Sequence, residues 1–573
     1  MFLRKNYSHK TGRTHLAIVH GYRDIDGKNK HKTVMRVGYL DELQKEYPDP
    51  IAHFTAIAKS MDEERKATAK ISVTLDMQEK LTLDGVYHKN YGYLVYSKLY
   101  HELEIDRFLD NARRHKKFRF NSEAIMRLLI YTRLLHPGSK REAFLNKNQF
   151  FENFNFSLDD VYHALDHFHE ISEQLQKHLH QKVVEQYNRK TDLVYYDVTN
   201  YYFEIDKQDE LRRKGCSKEK RKSPIVQMGL LMDTQGMPIS YKMFPGNTHD
   251  SQTLMPVLTD IKKRFGVKRL VTVADKGLNS GDNIAFATAL KDGYIYSKSI
   301  RCASGKFKKW VLEESGYHNT TENTKIKSKI VPDAEIWISV KQTGKKATKK
   351  KIKVEQKQIA FYSEKYALRA KHKRAEVIEK AIKMINNPAK YQSSFDYGAA
   401  GYIKNIKVDK ESGEILNLGD ILYLDISKIE EEEKFDGYYA IITSELDDSD
   451  DHIMEMYKGL WRIEENFKIS KSVLGTRPIH LSTLEHINAH FLTCFISLLI
   501  ARAIEIRLGR RYPIARIAET LRKVTCSRVE RNIWLFHYRD EVTDLLNDTF
   551  GTNFGQKFLT QEAIKNYFSI SKL

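Results

Sequence analysis

Cysteine is scarce in this chain. Cys216, Cys302, Cys494 and Cys526 are the only four in 573 residues, scattered without disulfide pairing or metal-ligand spacing. That argues against a disulfide-built fold and a structural zinc site, and fits a reducing cytosol. No His-His-carboxylate cluster is present either. The nearest approach is His249 beside Asp250, in a Gly-Asn-Thr-His-Asp loop that reads as structural. Long apolar runs are missing too: the most apolar stretch, Phe491 to Ala501, is well below spanning length and reads as a buried helix, so no membrane is expected as a partner. The opening Met-Phe-Leu-Arg-Lys-Asn-Tyr turns polar too soon for a secretory signal.

Positive charge is abundant. The chain carries 95 Lys and Arg against 75 Asp and Glu, a formal net charge of +20 and a pI near 9.3. Such an excess favours a polyanionic partner, most simply double-stranded DNA. On charge alone a basic transcription regulator satisfies the same numbers.

A chain this long exceeds one hydrophobic core. Residues 1–56 read as a small basic hairpin region turning at Asp26-Gly27. Residues 57–190 read as helical: a charged stretch from Ile57 to Asp84, an amphipathic one from Leu94 to Leu109, a helix capped by Asn121 and stopped by Pro137-Gly138, and a long one from Ser157 to Asn188. That block suits a DNA-end-binding domain or plain scaffold, because no recognition-helix signature selects between them. From 191 to 300 the class is α/β. Leu193 to Phe203 is strand-like, Ile225–Met232 and Met237–Phe244 form a hairpin, and Leu254, Val257, Leu258 and Ile261 mark a helix face capped by Asp250. Leu270 to Ala274 is a short buried strand, followed by a helix over 279–290 and a strand over 294–297. The expected architecture is a mixed sheet flanked by helices. Residues 301–450 read as a β-rich inserted domain, 451–505 as helices closing the site, and 506–573 as a basic helical region for dimerisation or DNA contact.

The chemistry gathers around Tyr457-Lys-Gly-Leu-Trp-Arg-Ile-Glu-Glu-Asn-Phe-Lys-Ile-Ser-Lys471. Tyr457, Glu464 and Lys471 fall at i, i+7 and i+14, hence on one face of a helix; Glu465 lies about 100° away. Two strand acids are its natural partners: Asp197 within the first strand and Asp275 at the end of the buried one. Neighbouring strands would set them side by side at a crevice. Asp192 precedes its apolar run and Asp282 reads as a helix cap, so both are poorer candidates. Three carboxylates suit Mg²⁺, with Mn²⁺ as a substitute, in two-metal phosphoryl transfer. Lys471 and Arg477 could meet phosphate, as could the basic runs Arg212–Lys222 and Lys345–Lys353. Trp310 or Trp337 could stack on an unpaired base, although alternation around Trp337 favours the core.

Taken in order, these motifs resemble bacterial insertion-sequence transposases with a DDE triad. Tyr457, Glu464 and Lys471 match their tyrosine–(x2)–arginine–(x3)–glutamate–(x6)–lysine signature; the arginine position is Leu460 here, with Arg462 two residues later. Asp197 resembles the first family aspartate, and Gly215 to Arg221, with Lys218 and Arg221, the segment after it. Gly246-Asn-Thr-His-Asp250 resembles the family's glycine–asparagine–aspartate turn, and Asp275-Lys276-Gly277 the second aspartate with its loop. The spacings, 78 residues between the aspartates and 189 to the glutamate, match the subgroup with a long β-rich insertion. The resemblance implies an RNase H-like core and catalytic, metal-holding Asp197, Asp275 and Glu464. It also implies DNA contacts from Tyr457, Arg462, Lys471, Arg477 and Lys276. Its implied activity is binding of terminal inverted repeats, Mg²⁺-dependent cleavage and joining to target DNA by a homodimer on paired ends. A nuclease without strand transfer and a non-catalytic relative are the competing readings.

Overall fold

Alternating side chains of Phe2–Ser8 (β1), Arg13–Arg23 (β2) and Asn29–Tyr39 (β3) build an antiparallel sheet in the order β1-β2-β3. Leu16, Leu43 and Phe54 form its small core, the last on the helix Pro50–Thr68. Most of β3 is exposed, as befits an antiparallel sheet with one solvated face. The expected hairpin is therefore three strands, and the boundary at 56/57 falls inside a helix. The Asp26-Gly27 turn lies outside the described residues. The computed structural model describes residues 1–23, 29–68, 78, 80, 82–83, 85–114, 116–204, 207–215, 223–321, 323–340, 347–391, 397–408, 415–530 and 532–572. It divides into two units, Met1–Gly85 and Val86–Leu573.

The second unit begins with a short strand, His88–Asn90 (β4), and a helical layer. Asn121 Oδ1 accepts the Ala124 amide at 3.2 Å and starts the helix Ser122–Leu135 where expected. Ser157 and Asp160 cap the helix Leu158–Tyr187 reciprocally. The stretch from Leu94 to Leu109 is two helices, Tyr93–Glu102 and Ile105–Arg113, because Glu104 takes a left-handed φ of 51° between them. Against this layer packs Leu484–Arg507, a long helix that carries the apolar run 491–501 in its buried middle. By length and composition it could cross a membrane; its apolar window is almost wholly buried within the protein.

The large sheet is assembled from Leu193–Tyr202 (β5), Ile225–Met232 (β6), Pro238–Pro245 (β7), Val271–Ala274 (β8) and Gly293–Ser297 (β9). It continues with His318–Thr321 (β10), Thr324–Val340 (β11) and Thr348–Ser363 (β12). A separate pair, Ile403–Val408 (β13) and Ile415–Leu424 (β14), precedes Tyr438–Thr443 (β15). The order is β10-β11-β12-β15-β9-β8-β5-β6-β7. β5, β8 and β9 are mutually parallel neighbours and the other pairings are antiparallel. Successive residues of β5 enter opposite cores: Tyr195 and Tyr201 on one face, Val194, Tyr196 and Val198 on the other.

Residues 301–450 are thus largely an extension of this sheet, since Ile441 of β15 pairs with Ser297 of β9. The terminal region also departs from the helical expectation. Thr525–Glu530 (β16), Ile533–Phe536 (β17) and Phe558–Thr560 (β18) form a four-stranded sheet with β4, between helices. The boundaries at 450/451 and 505/506 fall within the helices Asp450–Lys458 and Leu484–Arg507.

Candidate active site

Asp197 lies on the Tyr195–Tyr201 face of β5, and parallel pairing brings the adjacent β8 alongside, ending at Asp275. Glu464 comes from the helix Trp461–Lys468, whose Ile463 and Phe467 pack into the same core as Tyr195. That helix is bolted down from behind. The buried Asn466 donates to the Gly236 carbonyl at 2.9 Å and accepts from Arg502 Nε at 2.7 Å. Arg502 also binds Glu465 at 2.7 Å and Glu505 at 2.6 Å. Glu465 is therefore a structural partner of a buried guanidinium, while Glu464 is solvent-exposed. A cleft of about 450 Å³ results, lined by Asp197, Asp275 and Glu464 with Asp250, Lys276 and Phe467.

The helix face expected from the spacing is not continuous. Between Asp450–Lys458 and Trp461–Lys468 the chain tightens at Gly459-Leu460, and Ile469–Val473 widens into a π-turn. Tyr195 stands at the first break: its hydroxyl donates to the Met456 carbonyl at 2.8 Å, and a Cβ at Gly459 would lie 2.0 Å from the Tyr195 hydroxyl oxygen. The π-turn adds a residue to the last turn and moves Lys471 off the Glu464 stripe. Lys471 instead sits over Tyr201 and Arg477 over Tyr202, at 5.4 and 5.5 Å from the ring centres. Tyr201 is about 13 Å along the strand from Asp197.

Hydrogen bonds fix the acids. Val198 N–H donates to Asp197 Oδ1 at 2.7 Å, and Ser297 Oγ donates to Asp275 Oδ1 at 2.9 Å. Tyr457 shares a hydrogen bond with Ser297. Burial pushes its phenol up to about 12, and Asp275 and Glu464 push the same way, so it stays protonated around neutral pH. Ser297 had no signal of its own beyond ending the strand beside β8. Tyr439, 45% exposed, stacks on Phe361 at 5.3 Å and lies near enough to Asp275 to feel its charge. The poorer candidates are occupied elsewhere: Asp282 accepts the Ser339 amide at 2.7 Å, and Asp192 is exposed before β5. His249 is exposed and bonds Ser251.

The remaining expected DNA contacts separate. Arg462 packs beside the Gly236 turn and Trp461, outside the cleft lining. Lys218 and Arg221 lie outside the described residues. Trp310 is half-buried against the Phe307 cluster, with Lys329 over its ring at 4.1 Å. Trp337 reverses its expected place. Ala334 and Ile336 face inward after a register shift in β11, so Trp337 is 56% exposed. It lines a groove of about 1150 Å³ with Lys298, Lys329, Lys351 and Lys353, which meets the acid cleft at Lys276. Burial, reinforced by Lys329, lowers the Lys298 pKa.

The donors at the cleft are carboxylates, hard oxygen ligands that suit Mg²⁺ or Mn²⁺. Among the described residues no group of three or more His, Cys, Asp or Glu side chains is close enough to hold an ion by itself.

The class is an α/β protein whose large mixed sheet carries an acid-lined cleft at a strand–strand–helix junction. A family model described as the IS1634 family transposase N-terminal domain matches residues 3–71, and one described as the transposase DDE domain matches residues 203–500. The chain belongs to the DDE transposases and is a DNA-cleaving enzyme. Asp275 and Glu464 lie within the second match, and Asp197 just before it. Among solved structures, a piggyBac transposase synaptic complex with hairpin DNA is 7% identical at a TM-score of 0.35, over 84% of each chain. A Mos1 transposase paired-end complex with the left transposon end is 12% identical at 0.14, over 41% of this chain and 66% of that one. No curated protein matches the sequence.

Proposed function

We propose that Asp197, Asp275 and Glu464 are the catalytic triad of a transposase that binds the terminal inverted repeats of its element, cuts there and joins the ends to target DNA. The observation that carries this reading is their convergence on one cleft from two neighbouring strands and a helix. The order β7-β6-β5-β8-β9, an antiparallel meander followed by two parallel strands, supports an RNase H-like core. Mg²⁺, or Mn²⁺ in its place, would be held by the three carboxylates and would activate the attacking oxygen and steady the leaving one.

The protein's own part is positioning. Ser297 and Tyr457 hold Asp275, the Arg502–Asn466 bolt holds the glutamate helix, and Lys276 neutralises phosphate where cleft and groove meet. The lysine groove would follow a DNA backbone, with Lys471 and Arg477 meeting phosphates farther along β5. Function on paired ends implies a homodimer, and a cytoplasmic, nucleoid-bound location follows.

Linear DNA carrying the repeats that flank the coding region tests this, incubated with protein and Mg²⁺ beside an unrelated target duplex. Metal-dependent cuts at the repeat tips and a product joined to the target are expected. Cuts without a joined product would make the protein a nuclease, and binding without cuts a non-catalytic relative.

A further inference from the structure

The fourth acid of the cleft, Asp250, has no role in the triad. The sequence reads it as the cap of the following helix, and the structure removes that role. Leu254–Phe265 starts at Thr253 without a side-chain cap, and Asp250 contributes its backbone carbonyl, which accepts from Thr253 Oγ1 at 2.7 Å. Its carboxylate faces the site. A Cβ on Gly277, two residues past Asp275, would lie 3.6 Å from Asp250 Oδ2.

Behind it stands Gln227 of β6, 4% exposed. The Gln227 amide nitrogen donates to Asp250 Oδ1 over a long 3.5 Å, and its buried Oε1 has no hydrogen-bond partner among the described residues. An orphaned buried amide oxygen is costly, by about 1–3 kcal/mol, unless something electropositive meets it. The carboxylate that this strained amide holds stands in a cleft already lined by three acids, a hard-oxygen arrangement for a divalent cation.

We propose that Asp250 is a fourth carboxylate ligand of the metal centre and that Gln227 is its positioning residue. This rests on the metal-dependent reading of the triad. Asp250 and Asp197 line the same cleft, with Asp275 and Glu464.

The test is Mn²⁺ binding by full-length protein, followed by electron paramagnetic resonance, for wild type, Asp250→Asn, Gln227→Leu, Asp197→Asn and Asp275→Asn. In parallel, Fe²⁺ with ascorbate and peroxide maps where bound metal cleaves the wild-type backbone, which needs no variant to fold. Expected are Mg²⁺-competed cleavage near Asp250 as well as near Asp197 and Asp275, and Mn²⁺ affinity about tenfold or more weaker in Asp250→Asn, with a smaller loss in Gln227→Leu. Wild-type Mn²⁺ affinity in Asp250→Asn, with loss in the two triad variants and no backbone cleavage near 250, would overturn the inference and leave the triad standing. Failure of wild type to hold Mn²⁺ would overturn both.

Discussion

The central strands and the outer strands of the nine-stranded sheet are built on opposite rules. β6, β8 and β9 bury every residue, Ser297 at the end of β9 included, and the half-buried Asp275 follows directly on β8. The first half of β12 is mostly exposed and lysine-rich, and pairs with the part of β11 that carries Trp337 outward. A frame packed on both faces holds carboxylates at fixed separations despite their repulsion. A half-solvated ribbon gives long cations the water and freedom they need to follow a polyanion. On the proposed function, one sheet would separate the chemistry from the holding of substrate, and Lys276, which lines both cleft and groove, lies where the two meet.

Breaking the central side should have the largest effect. Asp275→Asn is expected to lower cleavage by about 10³-fold or more, since several kcal/mol of metal assistance is lost, with DNA binding kept. Single-turnover cleavage and gel-shift assays on the same preparation separate the two. Next comes the bolt behind Glu464. Arg502→Met removes the partner of Glu465 and leaves the buried Glu505 only its 3.4 Å contact with Arg510, and urea unfolding should show a loss of about 3–5 kcal/mol.

Acid should also weaken the central layer. His180 stacks on Phe265 beside the buried Arg189–Asp233 pair, and burial, then Arg189, depress its pKa to about 4. The unfolded chain takes up that proton below about 6.5 while the folded one refuses it. Stability present above 6.5 is thus lost as the pH falls toward 4, by about 2–3 kcal/mol, and His180→Phe should flatten that window in thermal melts. The outer side gives the smallest change. Lys351→Ala with Lys353→Ala should leave folding and cleavage chemistry intact, but reduce the slope of log affinity against log salt by about one per lysine that meets phosphate.

Local signals were legible where local physics decides. The caps at Asn121 and Ser157, the β6–β7 hairpin and the apolar run before Asp275 formed as their sequences predict. Parallel pairing of β5 with β8 followed from the order of elements and brought Asp197 toward Asp275. What escaped depends on partners far away in sequence. Tyr195 stands at the break in the glutamate helix from 261 residues upstream, and β15 turns an expected separate domain into more of one sheet. Period-two alternation placed Trp337 on a strand and favoured the core for it, but the inward-facing set after the β11 register shift is Ala334 and Ile336, which leaves Trp337 outside. Asp250 was hidden because an acid just before a helix reads as a cap, and its nearness to Gly277 is purely tertiary.

The adjacent glutamates offer the most direct measurement. Glu464 and Glu465 differ in sequence by one position and in structure by everything: one lines the acid cleft, the other is held by Arg502. Mg²⁺-dependent cleavage of repeat-bearing DNA should vanish in Glu464→Gln and persist in Glu465→Gln at a rate set by how much folded protein remains. Undiminished cleavage by Glu464→Gln, or its loss in a fully folded Glu465→Gln protein alone, would contradict the account.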